Sequence, residues 1–152
     1  MKIFAFLLLL AGCNAVNIKP HSLDKSQIIY ADRGGYTMKY AVKDELDKRG
    51  YTIKVAKISG YADGEVSDIV ISEAPKNARY AIRVQERTPT FLGGPLFFSP
   101  IWCAFNGFWW WEFNVSIADQ KTGEELLAWT GRGCQNSSIR RLRRLIDELE
   151  QK

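Results

Sequence analysis

The chain has 152 residues, enough for one domain and too few for two comfortable ones. Hydrophobic residues make up 46% and charged residues 25%, a globular balance that excludes disordered and collagen-like chains. A net charge of +4 is too small an excess to point to nucleic acid, and three cysteines with one histidine leave little from which to build a zinc site or a histidine-based triad.

The chain opens with Met1-Lys2, runs apolar from Ile3 to Ala11, and reaches Gly12-Cys13. Nine apolar residues span roughly 14 Å as a helix, under half of a ~30 Å hydrocarbon core, so this stretch is too short for an ordinary transmembrane anchor. A positive start before a short apolar run has the shape of a secretory signal. Its end, Leu10-Ala11-Gly12-Cys13, resembles the bacterial lipobox at all four positions. That resemblance implies cleavage after residue 12, a diacylglycerol on the Cys13 sulfur and an acylated (palmitate-type) amino terminus. It also implies outer-membrane sorting, because Asn14 rather than aspartate follows the cysteine. Two or more acyl chains hold a protein stably on a bilayer without a crossing segment. Residues 13–26 then read as the lipidated cysteine and a polar tether containing Pro20 and His21, at most about 45 Å long if extended. Residues 27–152 read as the folded domain.

That domain begins with a strand at Gln27–Ala31 and a turn at Asp32-Arg33-Gly34-Gly35. Between Tyr36 and Arg49 the apolar positions Met38, Ala41, Val42 and Leu46 fall at helical spacing, and Gly50 follows where a C-cap glycine belongs. Tyr51, Ile53 and Val55 alternate with polar residues, predicting a strand. Residues 60–79 carry weaker signals: a short strand at Ile69–Ile71 and a bend at Ala74–Asn77. Tyr80, Ile82 and Val84 alternate again, as do Trp109, Trp111, Phe113, Val115 and Ile117. A turn at Asp119–Gly123 then leads to a partner strand over Glu125–Arg132. A last helix follows, capped by Ser137-Ser138, with Ile139, Leu142, Leu145, Ile146 and Leu149 on one stripe. The expectation is an α+β two-layer sandwich: a mostly antiparallel sheet of four or five strands with two helices on one face.

Several short stretches resemble small periplasmic envelope lipoproteins of the TolB amino-terminal-domain and lipopolysaccharide-transport type. They are the helix ending Leu46-(x)3-Gly50-Tyr51, then Asn77-Ala78-Arg79-Tyr80, and Ala118-Asp119-(x)3-Gly123 followed by Trp129 and Gly131-Arg132-Gly133. The resemblance implies a non-catalytic accessory of an envelope assembly, facing the periplasm and held to the membrane by acyl chains, with an envelope protein as partner.

If Ala118 lies near Gly123 or Glu124 across the hairpin, opposed residue numbers sum to about 242 and Trp109 sits beside Gly133. Cys134 then comes close to the loop carrying Cys103. In an oxidising compartment the two would form a disulfide, the alternative being two buried thiols.

Residues 91–111 hold nine of the chain's 19 aromatic residues. Glycine at 93, 94 and 107 and proline at 95 and 100 rule out a continuous helix or a central strand there. Trp109 and Trp111 carry core parity, whereas Trp110 points to the wet face. Phe97, Phe98, Trp102, Phe105 and Trp110 are the candidate partner-binding residues. A loop covering the sheet edge, a protein-docking surface and a membrane-interface contact all remain open.

The last helix places Arg140, Arg141, Arg143 and Arg144 before Asp147, Glu148 and Glu150, against the helix dipole. Arg140, Arg141 and Arg144 are candidate anion-binding residues, guanidinium groups suiting phosphate or carboxylate. The alternative is i,i+4 pairing of Arg143 with Asp147 and Arg144 with Glu148. Gly34-Gly35 is either a simple turn or an anion cradle, and the acids Asp63, Glu65 and Asp68 lack calcium-loop spacing. No C-x-x-C, nucleophile-elbow or phosphate-loop motif occurs. No catalytic residue, metal or cofactor is therefore assigned. The rival functions are a lipid- or glycan-binding module and a carboxylate hydrolase working through an acid such as Glu112.

Overall fold

The computed structural model describes residues 14–35, 37–55, 77–93 and 103–150. In chain order the elements are β1 (Ala15–Ile18), β2 (Ile28–Ala31), α1 (Met38–Lys48), β3 (Thr52–Val55), β4 (Tyr80–Glu86), β5 (Thr90–Phe91), β6 (Trp109–Asp119), β7 (Glu125–Cys134) and α2 (Gln135–Leu149). The sheet runs β1-β7-β6-β4-β2-β3, with β5 beside β6 at the end that β4 leaves unpaired. The fold class is α+β as expected, but the sheet has seven strands rather than four or five, and it is mixed. β2 lies parallel to β3, because the helix α1 carries the chain back across the sheet before β3 begins, and it lies parallel to β4 as well.

Both helices pack on one face, side by side. α1 buries Met38, Ala41, Val42 and Leu46, the periodic positions read from the sequence. It ends in a Schellman motif: Gly50 at φ +82° donates to the Asp47 carbonyl and Tyr51 to that of Leu46. α2 buries Leu142, Leu145, Ile146 and Leu149. Its start differs from the expectation. The N-cap is Cys134, and Ser137 lies inside the first turn, where its hydroxyl donates to the Cys134 carbonyl. Beneath the helices, Val115, Ile117, Leu127 and Trp129 form the sheet side of the core.

The helix charges also pair differently from the expected i,i+4 pattern. Arg143 Nε donates to buried Glu45 of α1 at 2.8 Å, and Asp147 meets Arg49 at 2.5 Å. The arginines thus join two helices, which gives Glu45 the partner that a buried carboxylate requires.

Three further expectations are corrected. Residues 14–26 are not a tether: Ala15–Ile18 pairs antiparallel with Leu127–Thr130, with Val16 and Ile18 against the core. The segment after it is tied to α2, since His21 and Leu23 donate to the carbonyls of Glu148 and Leu149, and Leu23 is fully buried. The β6–β7 register is displaced by two, placing Trp111 rather than Trp109 opposite Gly133, with a bulge between Ile117 and Ala118. Trp109 keeps core parity yet is 40% exposed, because it lies beyond the part of the sheet that the helices cover. The signal segment, the expected Ile69–Ile71 strand, most of the Ala74–Asn77 bend and the acids at 63, 65 and 68 lie outside the described residues.

Candidate functional site

The two short motifs at the β4 start and the β6 end meet in space. Arg79 grips Asp119 through Nε at 2.8 Å to both carboxylate oxygens and through Nη2 at 2.6 Å to Oδ2. Asp119 also accepts the backbone N–H groups of Lys121 and Thr122, and Gly123 closes the turn at φ +73°. The Arg79 guanidinium, aided by those N–H groups, holds the Asp119 carboxyl below the usual carboxylate range. A hollow of about 420 Å³ nearby is lined by this pair and by Lys19 and Glu124, themselves paired at 2.6 Å. The Arg79–Asp119 and Lys19–Glu124 pairs brace the turn, while Asp24 accepts the Ser26 N–H and hydroxyl.

At the other end of the sheet lies the aromatic segment. Cys103 and Cys134 form the expected disulfide, with Cα atoms 5.4 Å apart. It fastens the loop 103–108 to the start of α2, and a backbone hydrogen bond from Asn136 to the Asn106 carbonyl adds a second attachment. Gly107 is required there. Its φ is +90°, and an added Cβ would come within 2.8 Å of Gln135 and Asn136.

This end is unusually apolar for an exposed surface. Phe105 is fully exposed, Phe91 58%, Phe108 50% and Trp109 40%. Phe91 packs edge-on against Trp109 with ring centres 5.2 Å apart and stacks on Phe108 at 6.4 Å. Of the predicted partner-binding residues, Phe105 belongs here and Trp110 is half-buried, its indole N–H donating to Glu112 at 3.3 Å. Phe97, Phe98 and Trp102 lie outside the described residues. Sequence reading missed Phe91, Phe108 and Trp109. The available signal was Phe91 directly before Leu92-Gly93-Gly94-Pro95, which stops its strand after two residues and leaves the ring at a sheet end.

The sheet face opposite the helices carries a shallow groove of about 560 Å³ lined by Gln85, Arg87, Glu112, Asn114, Thr130 and Arg132, among others. Arg87 and Glu112 meet across it at 3.2 Å.

Of the candidate anion-binding residues, Arg140 and Arg144 are exposed on α2, while Arg141 is half-buried with its Nε unbonded. The Gly34-Gly35 turn is not a vacant anion cradle. Glu86 reaches the start of α1, accepting the Lys39 N–H at 3.0 Å and the Thr37 hydroxyl, and so supplies that end's negative charge. Among the described residues no group of three or more His, Cys, Asp or Glu side chains could hold a metal, and no helix is long and apolar enough to cross a membrane.

No protein-family model and no curated sequence matches the chain. Two solved structures of the PelC dodecamer from Paraburkholderia phytofirmans share its fold, each with a TM-score of 0.52. A point-variant form is 10% identical and covers 92% of this chain and 98% of that one. A second crystal form is 12% identical and covers 91% and 99%. A PDZ domain protein from Parabacteroides distasonis matches 88% of this chain and 33% of its own, at 12% identity and a TM-score of 0.38.

Proposed function

We propose that the chain is an outer-membrane lipoprotein, anchored by acyl groups on Cys13, whose periplasmic α+β domain is a non-catalytic accessory or scaffold of an envelope assembly. The observation that carries this reading is the open sheet face. Both helices stack on one side, so β4, β6 and β7 present a broad, rigid polar surface with Trp110 at its rim. A half-buried aromatic among polar neighbours suits an interface anchor, because its position is set before binding and little side-chain freedom is lost. The Cys103–Cys134 bond supports export, since disulfides persist in oxidising compartments.

In-cell photo-crosslinking from position 110 tests the reading, with position 98 in parallel. One dominant envelope-protein adduct supports the accessory role, and the absence of any intermolecular adduct refutes it. Cys13→Ser should release the chain from the membrane fraction, and undiminished tight association would sink the anchor.

A second reading, a lipid- or glycan-binding module, is favoured by one feature. The groove sets the amide side chains of Gln85 and Asn114 and the Thr130 hydroxyl beside Arg87 and Arg132. Native mass spectrometry showing a co-purifying small molecule, with adducts only to lipid or glycan, would transfer the assignment to it.

A further inference from the structure

We infer that the aromatic end of the sheet is a membrane seat. Phe91, Phe105, Phe108 and Trp109 enter the interfacial region of the bilayer that holds the acylated Cys13. The inference rests on the lipid-anchor reading of Cys13 and deepens it by assigning the orientation of the domain.

The first argument is the length of chain between anchor and fold. Asn14, the residue after Cys13, already belongs to the domain, because its side-chain oxygen accepts the Arg132 N–H at 3.2 Å. Ala15 is paired with Thr130. No linker remains to let the domain stand off from the surface. Lipid on Cys13 brings the carboxyl-terminal end of β7 to the headgroups, within about one residue length.

The second argument is what else lies at that end. From Arg132 it is two residues, about 7 Å, along β7 to Cys134, which is paired with Trp110. The strands β1, β7, β6 and β5 are consecutive neighbours there, so β5 lies about 14 Å across the sheet from β1. Phe91 of β5 is paired with Trp109 of β6. The exposed aromatic cluster and the anchor point therefore share one end of one rigid sheet. Phenylalanine and tryptophan are the side chains that gain most from the headgroup–acyl boundary.

Charge is polarised in the same sense. α2 starts behind Cys134 and ends where His21 and Leu23 bond its last carbonyls, close to the β6–β7 turn. Arg140 thus lies in the half of the helix nearer the aromatic end, Arg144 just past its middle, and Asp147 and Glu148 in its far turn. Exposed Arg132 adds positive charge beside β1, while Arg87 next to β5 is paired with Glu112. This order opposes the helix dipole, and an anionic phospholipid surface is what it complements.

The test uses the full chain, processed in bacteria and purified from membranes. It is reconstituted into phosphatidylethanolamine–phosphatidylglycerol vesicles whose acyl chains are brominated close to the carbonyl. Bromine quenches only tryptophans at the interface. Wild-type emission should be quenched, and most of that quenching should be lost in Trp109→Phe, whose exposed position tolerates the exchange. Equal quenching of the two proteins, with Cys13 acylated by mass spectrometry and the protein floating with vesicles, overturns the seat while leaving the anchor intact. An unmodified Cys13 overturns both. Crosslinks from position 105 to a protein or to a second copy, with no lipid adduct, also overturn the seat, by showing that protein covers the end.

Discussion

Replacing both Cys103 and Cys134 by alanine removes a bond that closes a span of 31 residues. Chain-entropy arithmetic for that loop gives about 3.7 kcal/mol at 25 °C, an upper figure because real unfolded chains retain some structure. For a domain of this size, 1 kcal/mol moves the midpoint by about 3 °C, so the double variant should melt about 11 °C lower. The native loop should keep its place, because the Phe108 N–H still donates to the carbonyl of residue 103 at 2.9 Å, and that of Asn136 to Asn106 at 3.2 Å. The effect therefore falls on the unfolded state, and the urea m-value should rise as that state expands. Urea titration followed by tryptophan emission measures both quantities, and reduced wild type should match the double variant. A loss below about 1 kcal/mol in both proteins would refute the reasoning, since the cross-link would then not restrain the unfolded chain.

Two glycines of β7 give a matched pair. An added Cβ at Gly131 would come within 2.7 Å of the Phe113 ring and 2.9 Å of Trp129 Nε1, whereas at Gly133 it meets only Ser138 Oγ at 3.5 Å and Ser137 Oγ at 3.8 Å. Gly131→Ala should cost about 1–3 kcal/mol by overpacking, and Gly133→Ala should change stability by less than about 0.5 kcal/mol, both read by urea titration. Asp119, held below its ordinary value of 3.8, contributes stability that is complete above that pH and is lost as pH falls through its lower folded value. Asp119→Asn should therefore lower stability at neutral pH by about 1–2 kcal/mol and flatten the acid limb of the profile, measured as Tm against pH. Tyr51 is pushed up to about 12, first by burial and then by the neighbouring Glu150 carboxylate. Its stabilisation is complete below its ordinary value of 10.0 and lost as pH rises towards about 12. Tyr51→Phe should remove that part of the alkaline loss.

The amino-acid sequence by itself determined the elements whose information is local and repeated. α1 was legible from Met38, Ala41, Val42 and Leu46 with Gly50 behind them, because a helix writes its buried face at every third or fourth residue and its stop in one glycine. The β6–β7 hairpin and the Cys103–Cys134 pair followed from long alternation, a turn and the even pair of cysteines left once Cys13 is set aside. β1 was not legible. Its signal is Val16 and Ile18 around Asn17, too short an alternation to outweigh the polar residues beside it, and only β7 makes it a strand. The parallel pairing of β2, the Arg143–Glu45 bond and the Glu86 cap on α1 join residues up to 98 positions apart, for which no local pattern exists. Trp109 shows the limit most directly. Alternation assigns it a face of the sheet, but burial also depends on how far along that face the helices reach. That reach, and with it the exposure of the aromatic end and its closeness to Asn14, is decided by tertiary packing alone.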